Sequence, residues 1–448
     1  MEKIFQRLSD EVDTLMPQLF QALKQQIAIP SVESTPVAGA PFGAPVDRAL
    51  RHLLDIAAQM GFQVKNYDGY VGTIEWGEGK ELLGILSHVD VVPAGEQSDW
   101  ESDPFTLTEK DGYLIGRGVA DDKGPLLSCL YGMYALKKLG FQPKKRIRFI
   151  IGTNEETGWG CIHYYKEHHL EVPSASFSPD GMYTVVNREK GIYTGTYSCR
   201  VDSTASIEAG EASNLVPAHA VYTGKVTDAM LEAAKKVGGT IAGDQISCKG
   251  KNAPSHSPQN GTSAIIPLLQ ILAVEPTPLG QVCGRLLAAA ASDGAGLGID
   301  CSDEPSGKLT ATLGLLQLKD GILSATFDIR TPVTADIHAI ASNVTEKLEA
   351  LGFEALKQQV KEPLYVPADT PLIQSLCRVY TTVTCEKPTL YSIGGGTYAR
   401  AFPNCVCFGA VYPNEPLTVH SPNERTLADN VIKNTKMYGL AIYQLSVE

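Results

Sequence analysis

ELLGILSHVDVV (residues 81–92) opens as an unbroken apolar run and closes on a histidine and an aspartate two positions apart. Strands buried on both faces of a parallel sheet read this way, and functional groups in open α/β sheets collect beyond the carboxyl ends of such strands. The flanking sequence repeats the theme. PLLSCLYGMYALKKLG (125–140) carries apolar residues at helical spacing and stops at Gly140, a suitable C-cap. KRIRFIIGTNEETG (145–158) is another apolar strand that delivers carboxylates at its end. The opening 188 residues therefore predict an α/β domain with a mixed, mostly parallel sheet flanked by helices.

From about Glu189 the pattern changes. KGIYTGTYSCRVD (190–202), AHAVYTGKV (218–226), QISCKGKN (245–252) and LSATFDIRTPV (323–333) alternate apolar and polar residues, as antiparallel strands exposed on one face do. Two helical stretches, 228–239 and 336–352, accompany them. After Tyr365 the α/β pattern resumes with a helix at 370–384. The reading is one discontinuous domain, 1–188 and 364–448, interrupted by an inserted α+β domain, 189–363.

At 448 residues two domains are the natural expectation. The net charge of −12 argues against a nucleic-acid partner. No apolar run reaches the roughly 18 residues that cross a bilayer, and the amphipathic N-terminus lacks the apolar core of a secretory signal. No membrane partner and a cytoplasmic location are the expectations. Ten cysteines without a CxxC pair suggest reduced thiols, with Cys405 and Cys407 facing the core from one strand.

Five segments carry metal-ligand chemistry: SHVDVVPAG (87–95), GRGVADDKGP (116–125), NEETGWG (154–160), SPDG (178–181) and TVHSPNE (418–424). On a strand His88 and Asp90 face the same way, so His88 is the candidate ligand and Asp90 the acceptor for its other ring N–H. Asp121 sits in a glycine-flanked turn that suits a carboxylate bridging two cations. Glu155 and Glu156 are adjacent and diverge, so one is a ligand and the other a general base. Asp180 and His420 complete the set. Singly each segment also reads as a turn, an acidic loop or a buried His–Asp pair. Together, imidazoles and carboxylates without thiolates suit zinc, cobalt or manganese at a catalytic site.

In this order the segments resemble the co-catalytic dinuclear zinc metallopeptidase family that includes aminoacylase-like, carboxypeptidase-G-like and carnosinase-like enzymes, and within it the bacterial peptidase V-type dipeptidases. The likeness extends to IPSV (29–32), WESDPF (100–105) and GGGTYAR (394–400). It implies that two Zn2+ ions, replaceable by Mn2+ or Co2+, are held by His88, Asp121 and Asp180 and by Asp121, Glu156 and His420. It also implies Glu155 as general base, Asp90 orienting His88, and a cis peptide at Asp121–Asp122. The outer domain would be catalytic and the insert a lid. In that lid Asn214 and Arg330 fall at substrate-contacting positions, an arginine fork suiting a terminal carboxylate. Gly394, Gly395 and Gly396 would let backbone approach the substrate.

One stretch departs from the family. Where a lid histidine is expected as oxyanion donor, GKNAPSHSPQNGTSA (250–264) has Pro254, and the nearby histidine is His256, roughly 6–7 Å further along an extended chain. The flanking prolines are expected to re-route the loop so that His256 takes that place. The resemblance thus implies hydrolysis of dipeptides, small peptides as substrate partners, and a monomer, with a homodimer as the alternative. The competing readings are an N-acyl amino acid amidohydrolase or desuccinylase, and a catalytically impaired homologue that binds metal and peptide.

Overall fold

The computed structural model describes residues 1–447 and divides into two compact units, each with its own core. The first comprises Met1–Asn187, Val366–Tyr391 and Thr397–Glu448; the second comprises Arg188–Tyr365 and Ser392–Gly396.

In the first unit the sheet runs through Gln63–Tyr67, Val71–Trp76, Arg146–Gly152, Leu82–His88, Ala175–Ser178 and Cys405–Cys407 in that spatial order. Leu82–His88 is buried at every residue and lies parallel to Arg146–Gly152 on one side and Ala175–Ser178 on the other. That placement explains its unbroken apolar run: neither face meets water. The outer pairings with Gln63–Tyr67 and Val71–Trp76 are antiparallel, so the sheet is mixed. Helix Lys123–Lys138 is buried along most of its length between Glu2–Ile27 and Ala428–Ser446. It ends with Leu139 as C-cap, and Gly140 follows at φ +78°, the left-handed conformation that glycine adopts without strain. Cys405 and Cys407 are both buried, and all ten cysteines are free thiols.

The second unit is built on an eight-stranded antiparallel sheet. In Gly191–Arg200 alternate residues are buried, with Tyr193 and Tyr197 packed into an apolar cluster that includes Leu268, Leu286 and Val344. Four helices supply that cluster, Asp228–Val237, Ile265–Leu272, Pro278–Ala289 and Ile337–Ala350. The sequence reading had two of them. Ile265–Leu272 (IIPLLQIL) is apolar almost all round and therefore has no helical stripe to read.

Among the described residues no helix is long and apolar enough to cross a membrane.

Candidate metal centre

Three parallel strands aim their carboxyl ends at one place in the first unit. His88 is the last residue of Leu82–His88, Asp180 follows two residues after Ala175–Ser178, and Glu155 and Glu156 follow Arg146–Gly152. The glutamates lie on a turn beyond the strand and not on the strand itself, which is what lets neighbouring side chains diverge. Asp121 comes from the loop before helix Lys123–Lys138, and His420 from the loop before strand Arg425–Leu427.

Asp121 stands between two imidazoles. Its Oδ1 lies 3.1 Å from His88 Nε2 and its Oδ2 lies 3.0 Å from His420 Nε2. His88 Nε2 is also 3.9 Å from Asp180 Oδ2, and His420 Nε2 is 3.1 Å from Glu156 Oε2. The result is two groups that could hold a metal ion and that share Asp121: His88, Asp121 and Asp180, and Asp121, Glu156 and His420, each with its donor atoms within 4.8 Å of one another. The Asp121–Asp122 peptide is cis.

The remaining carboxylates have other partners. His88 Nδ1 is 3.0 Å from the backbone carbonyl of Asp90, so it is this carbonyl that orients the ring, and not the Asp90 carboxylate, whose Oδ1 lies 3.4 Å away. Asp90 Oδ2 also accepts the Glu156 backbone N–H at 3.0 Å. Glu155 Oε1 accepts the indole N–H of Trp159 at 3.2 Å, whereas Glu156 meets His420. Asp122 occupies the N-cap position of its helix without capping it; its carboxylate instead accepts from Ser87 Oγ and the His88 N–H.

The electrostatics follow from crowding anions in a dry place. Burial, reinforced by the charges of Asp121 and Asp122, holds Asp180 well above the ordinary carboxylate range. Burial also pushes Glu155 up to about 7, aided by Asp90, Glu156 and Asp121. Burial works against the Asp121 carboxylate too, but hydrogen bonds from His420 and His88 outweigh it and hold that group below the usual range. Hydrogen bonds to Asp121 and Glu156 raise His420 to about 10. Glu156 Oε1 and Asp90 Oδ1 are buried without a hydrogen-bond partner. Excess carboxylate, imidazoles turned toward it and buried acceptors left unsatisfied are the features of a site completed by cations, and the donor set fits a divalent metal.

In the second unit Arg330 is clamped by Asp328, with Nε 2.6 Å from Oδ1 and Nη2 3.2 Å from Oδ2. Its Nη1 donates to the Gly394 carbonyl at 2.7 Å. Ser255 Oγ donates to the same Asp328 Oδ1 at 2.6 Å, and the Ser255 N–H donates to the Asn214 carbonyl at 2.9 Å. Ser255, not its neighbours, is therefore the buried anchor of the loop between the prolines. Pro254 and His256 are exposed, and His256 lies against Gly394, where an added Cβ would meet the histidine Cβ at 2.2 Å. Partial desolvation of the ring and the Arg330 charge lower the His256 pKa, favouring a neutral ring. Gly395 has open space around its Cα, and Gly396 is exposed.

Trp159, Asp328, Ser255 and Glu424 were not singled out from the sequence. Asp328 had a readable signal, since it lies two residues before Arg330 on one strand and so on the same face.

Residues 84–444 match the Peptidase family M20/M25/M40. The chain belongs to that family. It is a metal-dependent peptide hydrolase. The chain is 36% identical to YtjP of Bacillus subtilis (strain 168) over 92% of its own length and 94% of that protein's. It is 34% identical to the Beta-Ala-Xaa dipeptidase of Lactobacillus delbrueckii subsp. lactis, covering 96% of each. In fold it is similar to human carnosine dipeptidase 1, with a TM-score of 0.58 at 18% identity over 98% of this chain and 99% of the other. The Saccharomyces cerevisiae di-peptidase Dug1p aligns along the full length of both chains with a TM-score of 0.62 at 16% identity.

Proposed function

We propose that this chain is a dinuclear zinc dipeptidase whose metal residues are His88, Asp121, Asp180, Glu156 and His420 and whose general base is Glu155. The observation that carries the reading is the division of labour around Asp121: two groups that could each hold an ion share it, and Glu155, held by the indole N–H of Trp159, belongs to neither. A binding protein has no use for that surplus group. Two bound ions supply Lewis acidity here, lowering the pKa of water and polarising a carbonyl. Glu155 takes a proton from the attacking water and returns it to the leaving amine. The Asp90 backbone carbonyl keeps His88 in one tautomer by accepting at Nδ1.

In the second unit, Asp328 and the Gly394 carbonyl occupy three N–H groups of Arg330, leaving its outer Nη1–Nη2 edge to bind a substrate carboxylate. Asn214, His256 and the 394–396 glycines complete the substrate-binding set, with His256 as neutral donor to the developing oxyanion. Relatives named as a Beta-Ala-Xaa dipeptidase and a carnosine dipeptidase support a dipeptide over an N-acyl amino acid. A hydrolysis panel tests this: alanine-containing and β-alanine-containing dipeptides should turn over with zinc, manganese or cobalt. N-acetyl or N-succinyl amino acids cleaved in preference would make the chain an amidohydrolase instead, and tight dipeptide binding without cleavage would make it a binding homologue.

A further inference from the structure

Glu424, four residues after His420, binds no neighbour of its own loop. Its carboxylate is buried and faces the chain around Asp121. Oε2 accepts from Arg117 Nη1 at 2.7 Å and from the Gly118 N–H at 3.0 Å. Oε1 accepts from the N–H groups of Ala120 at 2.9 Å and Asp121 at 3.1 Å. The backbone carbonyl of Glu424 accepts from Gly116 at 3.0 Å. One residue thus receives five hydrogen bonds from the stretch 116–121.

The pairing of Arg425–Leu427 with Tyr113–Ile115 ends immediately beside these contacts, so Glu424 continues a strand ladder with its side chain where the backbone has turned away. Arg117 extends the connection: its Nη2 reaches the Pro93 carbonyl at 3.4 Å, and its guanidinium lies over Trp100, 5.3 Å from the ring centroid. Three of the metal-bearing segments are joined through this pair.

We propose that Glu424 is a positioning residue that pre-forms the bridging position of the metal centre, fastening the Asp121 backbone to the loop that carries His420 before any ion arrives. The proposal rests on the dinuclear reading above. A carboxylate is required because four donors converge on two oxygens; an amide in its place would turn an NH2 group toward two of them.

The test compares Glu424→Gln with Arg117→Met. Both break the buried ion pair, and Arg117→Met in addition gives up the Pro93 and Trp100 contacts, so it is the more disruptive change for the fold. Only Glu424→Gln disturbs the N–H contacts to Ala120 and Asp121. Zinc binding to each metal-free protein by competitive calorimetry, with the Co2+ absorption spectrum alongside, should show the second ion weakened on the order of 10–100-fold in Glu424→Gln and kept within a few-fold in Arg117→Met. Equal losses in both variants, or native affinity and spectrum in Glu424→Gln, would overturn the proposal. Hydrogen exchange on metal-free wild-type protein reads the clamp without any variant: amides 116–121 should be protected roughly a hundredfold or more, and free exchange there would also overturn it. Wild-type protein that fails to take up two ions would instead overturn the dinuclear reading.

Discussion

Trp159 donates its indole N–H to Glu155 Oε1 at 3.2 Å, and it does so from a left-handed backbone conformation, φ +58°, at the start of helix Gly160–Glu167. The ring also packs edge-on against buried Tyr398, which in turn packs edge-on against His88. Glu155 is therefore held by an aromatic side chain that is itself packed against a buried ring. Trp159→Phe keeps the packing and removes the donor. It should lower kcat by roughly 10–100-fold with KM little changed, since a hydrogen bond to a charged group contributes about 1.5–3 kcal/mol. Steady-state kinetics on a dipeptide check this, and an unchanged kcat would show that Glu155 needs no such partner.

Asp328 should matter to substrate affinity. It shares its carboxylate between Arg330 and Ser255, both buried. Removing one partner of a buried charged pair costs about 3–5 kcal/mol of stability. Asp328→Asn should lower the melting temperature and raise KM at least tenfold. Arg330→Lys should raise KM similarly, because an ammonium cannot offer the planar fork. Thermal unfolding and Michaelis kinetics separate the two effects.

The loop at His256 can be displaced by a single methyl group. Gly394→Ala places a Cβ 2.2 Å from His256 Cβ, an overlap that only movement relieves. The expected outcome is a loss of kcat with little loss of stability, the site being partly exposed. His256→Ala should cost on the order of 10²–10³ in kcat, the usual cost of a lost oxyanion donor. A rate unchanged in His256→Ala would remove it from the chemistry.

Metal removal should cost stability as well as activity. With the ions gone, the carboxylates around Asp121 face one another in a buried site, a repulsion that cations relieve. Restoring zinc at a thousandfold excess over its dissociation constant stabilises the folded state by about 4 kcal/mol per ion. Calorimetric unfolding of chelator-stripped protein with and without zinc should show a rise of several degrees in melting temperature.

The sequence shows this site unevenly, for physical reasons. His88 is legible because an apolar strand announces where its carboxyl end falls, whereas SPDG (178–181) reads on its own as a turn. Asp121 and His420 come from loops without periodicity; their roles entered through resemblance to a family. Glu155 and Glu156 read as a strand end, whereas the strand stops at Gly152 and a turn separates the two side chains. Glu424 left no trace, because a carboxylate satisfied by distant backbone N–H groups has no local signature. His256 stands out in the sequence as a departure, but Ser255, which fixes its loop through Asp328 and Asn214, reads as a spacer between prolines.

Turnover of an alanine-containing dipeptide by metal-loaded Glu155→Gln, with bound metal counted by elemental analysis, asks whether Glu155 moves the proton while other residues hold the metals. Two ions per chain, as in the wild type, and a kcat reduced by on the order of 10²–10⁴ are expected. Near wild-type turnover with both ions in place would assign the proton transfer to another group.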